Sequence, residues 1–148
     1  MYSNDDIIRI GEKLLDRSLP KAEWTHAAHC AAGIYLMLRR PDIDVARDLP
    51  GIIWRYNEAS GTANTDSDGY HETITRFYIA LIRAYLAAVP GGSSLETLVA
   101  DFMASPLGAR DLALQFWSKD RLMSVEARRV WIAPDRAPLD FKPMLDGL

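Results

Sequence analysis

The sequence predicts an all-α fold, an up-down bundle of about four main helices followed by short C-terminal helices. Three observations predict it. Apolar residues recur at three- and four-residue spacing in several segments, residues suited to helix N-caps precede those segments, and no segment alternates as a strand does. The 148 residues predict one helical domain, residues 1–148, that is long enough to bury a core without disulfides.

The first two helices have clear start signals. Ser3 or Asn4 caps the first helix, because short polar side chains accept the free N–H groups of a first turn. The second helix runs roughly from Thr25 to Arg39 and carries small residues that permit close packing. It ends before Pro41, since the residue preceding a proline avoids helical geometry.

The third and fourth helices make up the middle of the chain. Pro50 suits the first turn of a helix, so Asp48 is preferred to Asp44 as the cap of the third helix, which ends near Ala59. The fourth helix has the clearest pattern, because large apolar residues repeat at helical spacing over residues 70–89. These two helices complete the predicted up-down arrangement.

Shorter helices are predicted after residue 92. Ser93 with Glu96 has the pattern of a capping box that opens a fifth helix. A sixth helix carries the apolar residues of 112–117, and Ser124 caps a short last helix. From about residue 133 the tail contains three prolines, and we therefore expect it to be extended.

Composition limits the classes of function. The chain has a net charge of −3, whereas a nucleic-acid-binding protein usually carries an excess of basic residues. The single cysteine, Cys30, excludes an internal disulfide and fits a reducing compartment. The N-terminus is acidic and has no long apolar run, and no segment is long and apolar enough to cross a membrane. These features predict a cytoplasmic protein that binds neither nucleic acid nor membrane.

All three histidines are predicted at one end of the bundle. His26 and His29 are three residues apart, so they lie on one face of the second helix. His71 opens the fourth helix. In an up-down bundle the second and fourth helices begin at the same end, and the three imidazoles are therefore expected to converge there.

Such a cluster predicts a metal site. A helix N-terminus disfavours the charged imidazolium, and neutral imidazole is the form that binds metal. Three histidines with one open position suit zinc or another transition ion, whose bound water becomes a nucleophile near neutral pH. Glu72 or Glu58 would serve as the general base or a fourth ligand. The first hypothesis is a metal-binding protein or metal-dependent enzyme, with the reaction left open.

Several further residues are expected near this end. The polar loop of residues 60–69 is longer than most connections, which suggests a lid or binding loop in which Asp66 or Asp68 supports the metal ligands. Thr75 and Tyr78 fall on the same side of the fourth helix as His71. Cys30 follows His26 by one turn and is favoured as a buried apolar side chain over a thiolate ligand.

A second hypothesis needs no metal. Two helix N-termini at one end of a bundle form an anion-binding site, at which histidines donate hydrogen bonds to a carboxylate or phosphate. The protein would then be a non-catalytic helical module that binds a small anionic ligand or a partner protein, and self-association is open in either case. Stabilisation by anions in the presence of a chelator separates this hypothesis from the first.

Five segments of the chain carry recognisable motifs, and two of them contain the histidines discussed above. The segments are Trp24–His29, Tyr56–Ala59, Gly69–Thr75, Lys119–Leu122 with Ala127–Arg129, and Trp131–Asp135. They resemble an uncharacterised bacterial family of small helical proteins. The resemblance covers most of the chain, and it implies an all-helical fold and a set of motif positions but no reaction.

Overall fold

A computed structural model describes residues 1–148 and shows an all-helical chain without β-strands, as predicted. The buried apolar side chains form one continuous core. No helix combines the length and apolar content needed to cross a bilayer. The helices are α1 Asn4–Leu15, α2 His26–Arg39, α3 Val45–Ala59, α4 Glu72–Ala88, α5 Leu95–Ala104, α6 Lys119–Leu122, α7 Val125–Arg129 and α8 Lys142–Asp146, with 3₁₀ helices at Lys21–Glu23, Pro106–Gly108 and Leu112–Gln115.

Helix α2 is central, because it packs against α1, α3, α4 and α5. Small residues allow this packing: a Cβ atom placed on Gly33 would lie 2.8 Å from Cδ1 of Ile82 on α4. One turn before Ile82, the ring of Tyr78 lies 5.6 Å from the ring of His26 at the start of α2. These two pairs show that α2 and α4 run in the same direction.

Helix α1 departs from a strictly alternating order. The Tyr2 hydroxyl, just before α1, lies 3.3 Å from Oγ1 of Thr25, which caps α2. At the other end of the pair, the Tyr35 hydroxyl donates to Glu12 at 2.8 Å. The starts of the two helices are thus together and so are their ends. Helices α1 and α2 therefore run side by side in the same direction, and the segment between them returns along the bundle.

Helix α3 begins four residues earlier than predicted from Pro50 and the preferred cap Asp48. Asp44, and not Asp48, is its N-cap, so Pro50 lies inside the helix. Proline has no N–H, which leaves the carbonyl of Ala46 without its helical donor. The guanidinium of Arg76 on α4 donates to that carbonyl at 2.7 Å. A hydrogen bond from a neighbouring helix thus compensates for the proline.

The chain after α4 differs from the prediction in three places. Ser94, and not Ser93, caps α5, and the amide of Glu96 donates instead to the side chain of Asn4. The predicted sixth helix is a 3₁₀ helix, Leu112–Gln115, because an α-helical hydrogen-bond pattern is not continued there. The tail is not wholly extended, since it ends in α8. Ser124 caps α7 as predicted.

Candidate small-molecule site

A cavity of about 390 Å³ lies between α2, α3 and α4, within the size range of small-molecule sites. It has two chemically different ends. The polar end contains Thr25, His26, His29, Thr75, Tyr78 and Arg110. The apolar end is formed by Gly33, Met37, Leu49, Ile53, Ile79 and Ile82.

The polarity of the cavity changes along the axis of α2. His26 and His29 occupy the first turn of that helix, whereas Gly33 and Met37 lie one to three turns farther on. With a rise of about 1.5 Å per residue, the segment from His26 to Met37 spans about 16 Å. The cavity therefore matches an elongated molecule with a polar group at one end and an apolar body at the other.

His29 is a neutral imidazole on the cavity wall. Its Nδ1 lies 2.7 Å from the carbonyl oxygen of Thr25, so Nδ1 carries the proton and donates. The side chain is exposed, yet it faces a recess surrounded by protein. Loss of solvation lowers its pKa from 6.5 to about 4. The hydrogen bond to Thr25 acts in the opposite direction and raises the pKa, whereas the nearby His26 lowers it further. His29 is therefore uncharged at neutral pH.

His26 connects α2 to the segment that closes the polar end. Its Nε2 donates to the carbonyl of Gly108 at 3.0 Å, and the Tyr78 hydroxyl donates to the adjacent carbonyl of Ala109 at 3.4 Å. These two bonds fix the backbone immediately before Arg110. The exposed Arg110 side chain thus reaches the cavity, where it forms neither an ion pair nor a hydrogen bond with protein.

Cys30 and Tyr78 remain protonated at the polar end. Burial raises the pKa of the Cys30 thiol to about 12, so it is not a thiolate at neutral pH. Its Sγ lies 4.0 Å from Nε2 of His26, but that nitrogen donates to Gly108. Burial also raises the pKa of the Tyr78 hydroxyl. Cys30 thus behaves as the small buried side chain that the sequence favoured.

The structure does not place His71 with the other two histidines. Its Nδ1 accepts the N–H of Ile74 at 3.1 Å and caps α4, while its Nε2 donates to the carbonyl of Leu122 at 2.7 Å. Both ring nitrogens are therefore occupied inside the protein. His71 is buried and lies outside the cavity lining. Consistent with this, no three histidine, cysteine or acidic side chains group as metal ligands, which corrects the expected convergence of His26, His29 and His71.

The two glutamates predicted as a base or ligand also lie outside the cavity. Glu72 accepts from the hydroxyl of Tyr70 at 2.5 Å and from Arg76 at 3.3 Å. Glu58 is exposed and lines a separate, open recess with Trp54. Neither carboxylate is therefore placed to act as a base or a ligand in the cavity.

The loop of residues 60–69 is a fixed connection and not a lid over the cavity. The side-chain oxygen of Asn64 accepts from Asn57 at 3.0 Å and from the amide of Tyr70 at 2.9 Å. Gly69 has a φ of +78°, and a Cβ there would meet the Ala63 carbonyl. Asp66, expected to support metal ligands, is instead paired with Arg129 on α7 at 2.6 Å.

Sequence reasoning found part of this site. It placed His26 and His29 on one face, and it placed Thr75 and Tyr78 toward the same end. It missed Arg110 and the apolar end of the cavity, because Arg110 lies between two 3₁₀ helices where no periodic pattern indicates its direction. No family model, curated protein or solved structure matches the chain.

Proposed function

We propose that the protein binds a small amphipathic acid in this cavity, with the acid group at Arg110 and the apolar body along α2. The observation that carries the proposal is the guanidinium of Arg110, which has no protein counter-ion at the polar end of an otherwise apolar cavity. An arginine fork recognises carboxylate and phosphate groups through paired hydrogen bonds. This is the anionic-ligand hypothesis with a different set of residues.

The apolar end supplies the affinity in this proposal. Each methylene group moved from water to an apolar surface contributes about 0.8 kcal/mol. Leu49, Ile53, Ile79 and Ile82 offer such a surface, and the absence of a side chain at Gly33 leaves room beside α2. Acids with longer apolar bodies are therefore expected to bind more tightly, until the cavity is filled.

The metal hypothesis is less well supported by the geometry. A site at the polar end would use His26 and His29 without His71, and Nε2 of His26 already donates to Gly108. Catalytic roles for Glu58 and Glu72 have no support from their positions either. Ligand binding alone accounts for the cavity, the two histidines and the unpaired arginine.

Titration of decanoate into the protein, followed by calorimetry, tests the proposal. We expect saturable one-to-one binding that Arg110→Gln weakens about 1.4- to fivefold, because Arg110 is exposed and an exposed ion pair contributes about 0.2–1 kcal/mol. The matched control is Arg83→Gln, which removes an exposed arginine of α4 outside the cavity. That control is expected to bind decanoate as the wild type does.

Two further ligands and one blocking variant make the result specific. Decanol should bind equally to the wild type and Arg110→Gln, and decylammonium should bind more weakly than decanoate. Ile53→Trp should abolish binding by filling the cavity, whereas Ile8→Trp on the exposed side of α1 should not. Decanoate binding that survives Ile53→Trp contradicts the proposal. So does stabilisation by Zn²⁺ that requires His26 and His29 and occurs without any acid.

A further inference from the structure

His29 lines the cavity and has one ring nitrogen that forms no hydrogen bond with the protein. Its Nδ1–H donates to the Thr25 carbonyl at 2.7 Å, so in the neutral ring the lone pair is on Nε2. That nitrogen has no hydrogen-bond partner in the protein. His26 differs in this respect, because its Nε2 is committed to Gly108. The polar end of the cavity thus offers one cation, Arg110, and one neutral imidazole acceptor.

The ring of His29 is held in place and does not rotate freely. Trp24 stacks on it with ring centroids 3.7 Å apart and an interplanar angle of 28°. Trp24 itself packs edge to face with Tyr56 on α3, with ring centroids 5.4 Å apart. A stacked ring fixed by a backbone hydrogen bond presents its free nitrogen at a constant position, which lowers the entropic cost of recognising a ligand.

We propose that the ligand carries a hydroxyl or N–H donor close to its acid group, and that Nε2 of His29 accepts this hydrogen bond. The inference rests on the proposed binding of an amphipathic acid and specifies its class as a hydroxy acid or an N-acyl analogue. His29 lies one helical turn after His26, and His26 is bonded to Gly108, two residues before Arg110, so His29 is at the Arg110 end of the cavity. The donor therefore belongs near the acid group and not at the far end of the apolar body.

The charge state of His29 supports an acceptor over other roles. Loss of solvation in the recess lowers its pKa from 6.5 to about 4, so Nε2 keeps its lone pair throughout the neutral range. A group with so low a pKa is a weak base, which makes proton removal from an alcohol unfavourable. An unprotonated nitrogen in a poorly solvated recess is instead a good partner for a neutral donor.

The test compares decanoate with 2-hydroxydecanoate and 3-hydroxydecanoate by calorimetry. The wild type is expected to bind at least one hydroxy acid about fivefold more tightly than decanoate, the effect of one net hydrogen bond. His29→Phe keeps an aromatic ring on Trp24 but has no acceptor, so it should bind all three acids equally. His29→Gln, which restores an acceptor oxygen, should regain part of the preference.

The outcomes separate this inference from the function on which it rests. If decanoate binds and the wild type shows no preference for either hydroxy acid, the role of His29 is overturned while the acid-binding proposal stands. A preference that persists in His29→Phe overturns it as well. If none of the three acids binds the wild type, both proposals fail. Thermal unfolding of each variant shows whether it is folded before the titrations are compared.

Discussion

At the scale of single residues, His71 uses both nitrogens of its imidazole for hydrogen bonds within the protein, one as an acceptor and one as a donor. One nitrogen caps α4 and the other holds the carbonyl of Leu122, far along the chain. The ring is buried, and burial lowers its pKa below the usual 6.5. His71 therefore acts as a structural connection between the start of α4 and the C-terminal segment.

The variant His71→Asn separates these two functions. Asparagine is a good N-cap, but its side chain is too short to replace the imidazole bond to Leu122. We expect a loss of about 1 kcal/mol in the free energy of unfolding at pH 8, measured by urea denaturation. An unchanged stability would mean that the Leu122 bond contributes nothing.

The same variant predicts a change in the pH dependence of stability. The folded protein resists protonation of His71, whereas the unfolded chain binds that proton as pH falls below 6.5. The contribution of His71 to wild-type stability is therefore greatest above pH 6.5 and declines toward acid. His71→Asn lacks this contribution, so the difference in the free energy of unfolding between the wild type and the variant should become smaller from pH 7 to pH 5. His29, with a pKa of about 4, continues to lower stability in the variant over the same interval.

At the scale of helices, the proline in α3 is tolerated because α4 provides a replacement donor. Arg76 bonds the Ala46 carbonyl that Pro50 leaves free, and it also pairs with Glu72 one turn before it on α4. The two helices run in opposite directions, since Trp54 near the end of α3 lies against Tyr70 just before α4. This orientation places Arg76 beside the start of α3.

A double-mutant cycle tests this compensation. Arg76→Met should cost about 1–2 kcal/mol, because it leaves a partly buried carbonyl without a donor. In the Pro50→Ala variant, the restored backbone N–H of residue 50 can donate to the carbonyl of Ala46. The cost of adding Arg76→Met to that variant should therefore be about 1 kcal/mol smaller than in the wild type. Urea denaturation of the four proteins measures the coupling. Arg83→Met, combined with Pro50→Ala, is the matched control, because Arg83 is an exposed arginine of the same helix, and it should show no coupling.

Predictions from the sequence were correct where interacting residues are close in the chain and wrong where they are far apart. Ser3 was predictable as a cap, because its partner Asp6 is three residues away. The cap of α3 was misplaced because the residue that compensates for Pro50 lies 30 positions from Ala46. His71 was placed at the right helix end, but its ring direction depends on Leu122, 51 positions away. Local patterns carry no information about such partners.

At the scale of the whole molecule, the C-terminal tail is part of the core. Phe141 is only 9% exposed, and its ring lies 5.7 Å from Phe77 on α4 and 5.9 Å from Phe116. Earlier in the tail, the amide of Arg136 donates to the carbonyl of Phe116 at 2.8 Å. The tail thus returns to cover the aromatic side of α4.

The variant Phe141→Ala measures how strongly the tail is attached. We expect it to lower the free energy of unfolding by about 2–4 kcal/mol, since it removes a buried aromatic ring from contact with two others. Leu148→Ala is the control, because Leu148 is 55% exposed and its loss should cost less than about 0.5 kcal/mol. Equal, small effects of the two changes would show that the tail is only loosely held.

The attachment of the start of α4 has a consequence for the order of events during synthesis. Its first residues are held by backbone groups that follow much later: His71 by Leu122, and Thr73 by Val130 and Ile132. A nascent chain that has reached only Gln115 lacks all three partners. The start of α4, the helix that forms one wall of the cavity, therefore gains these hydrogen bonds only after residue 132 has been synthesised.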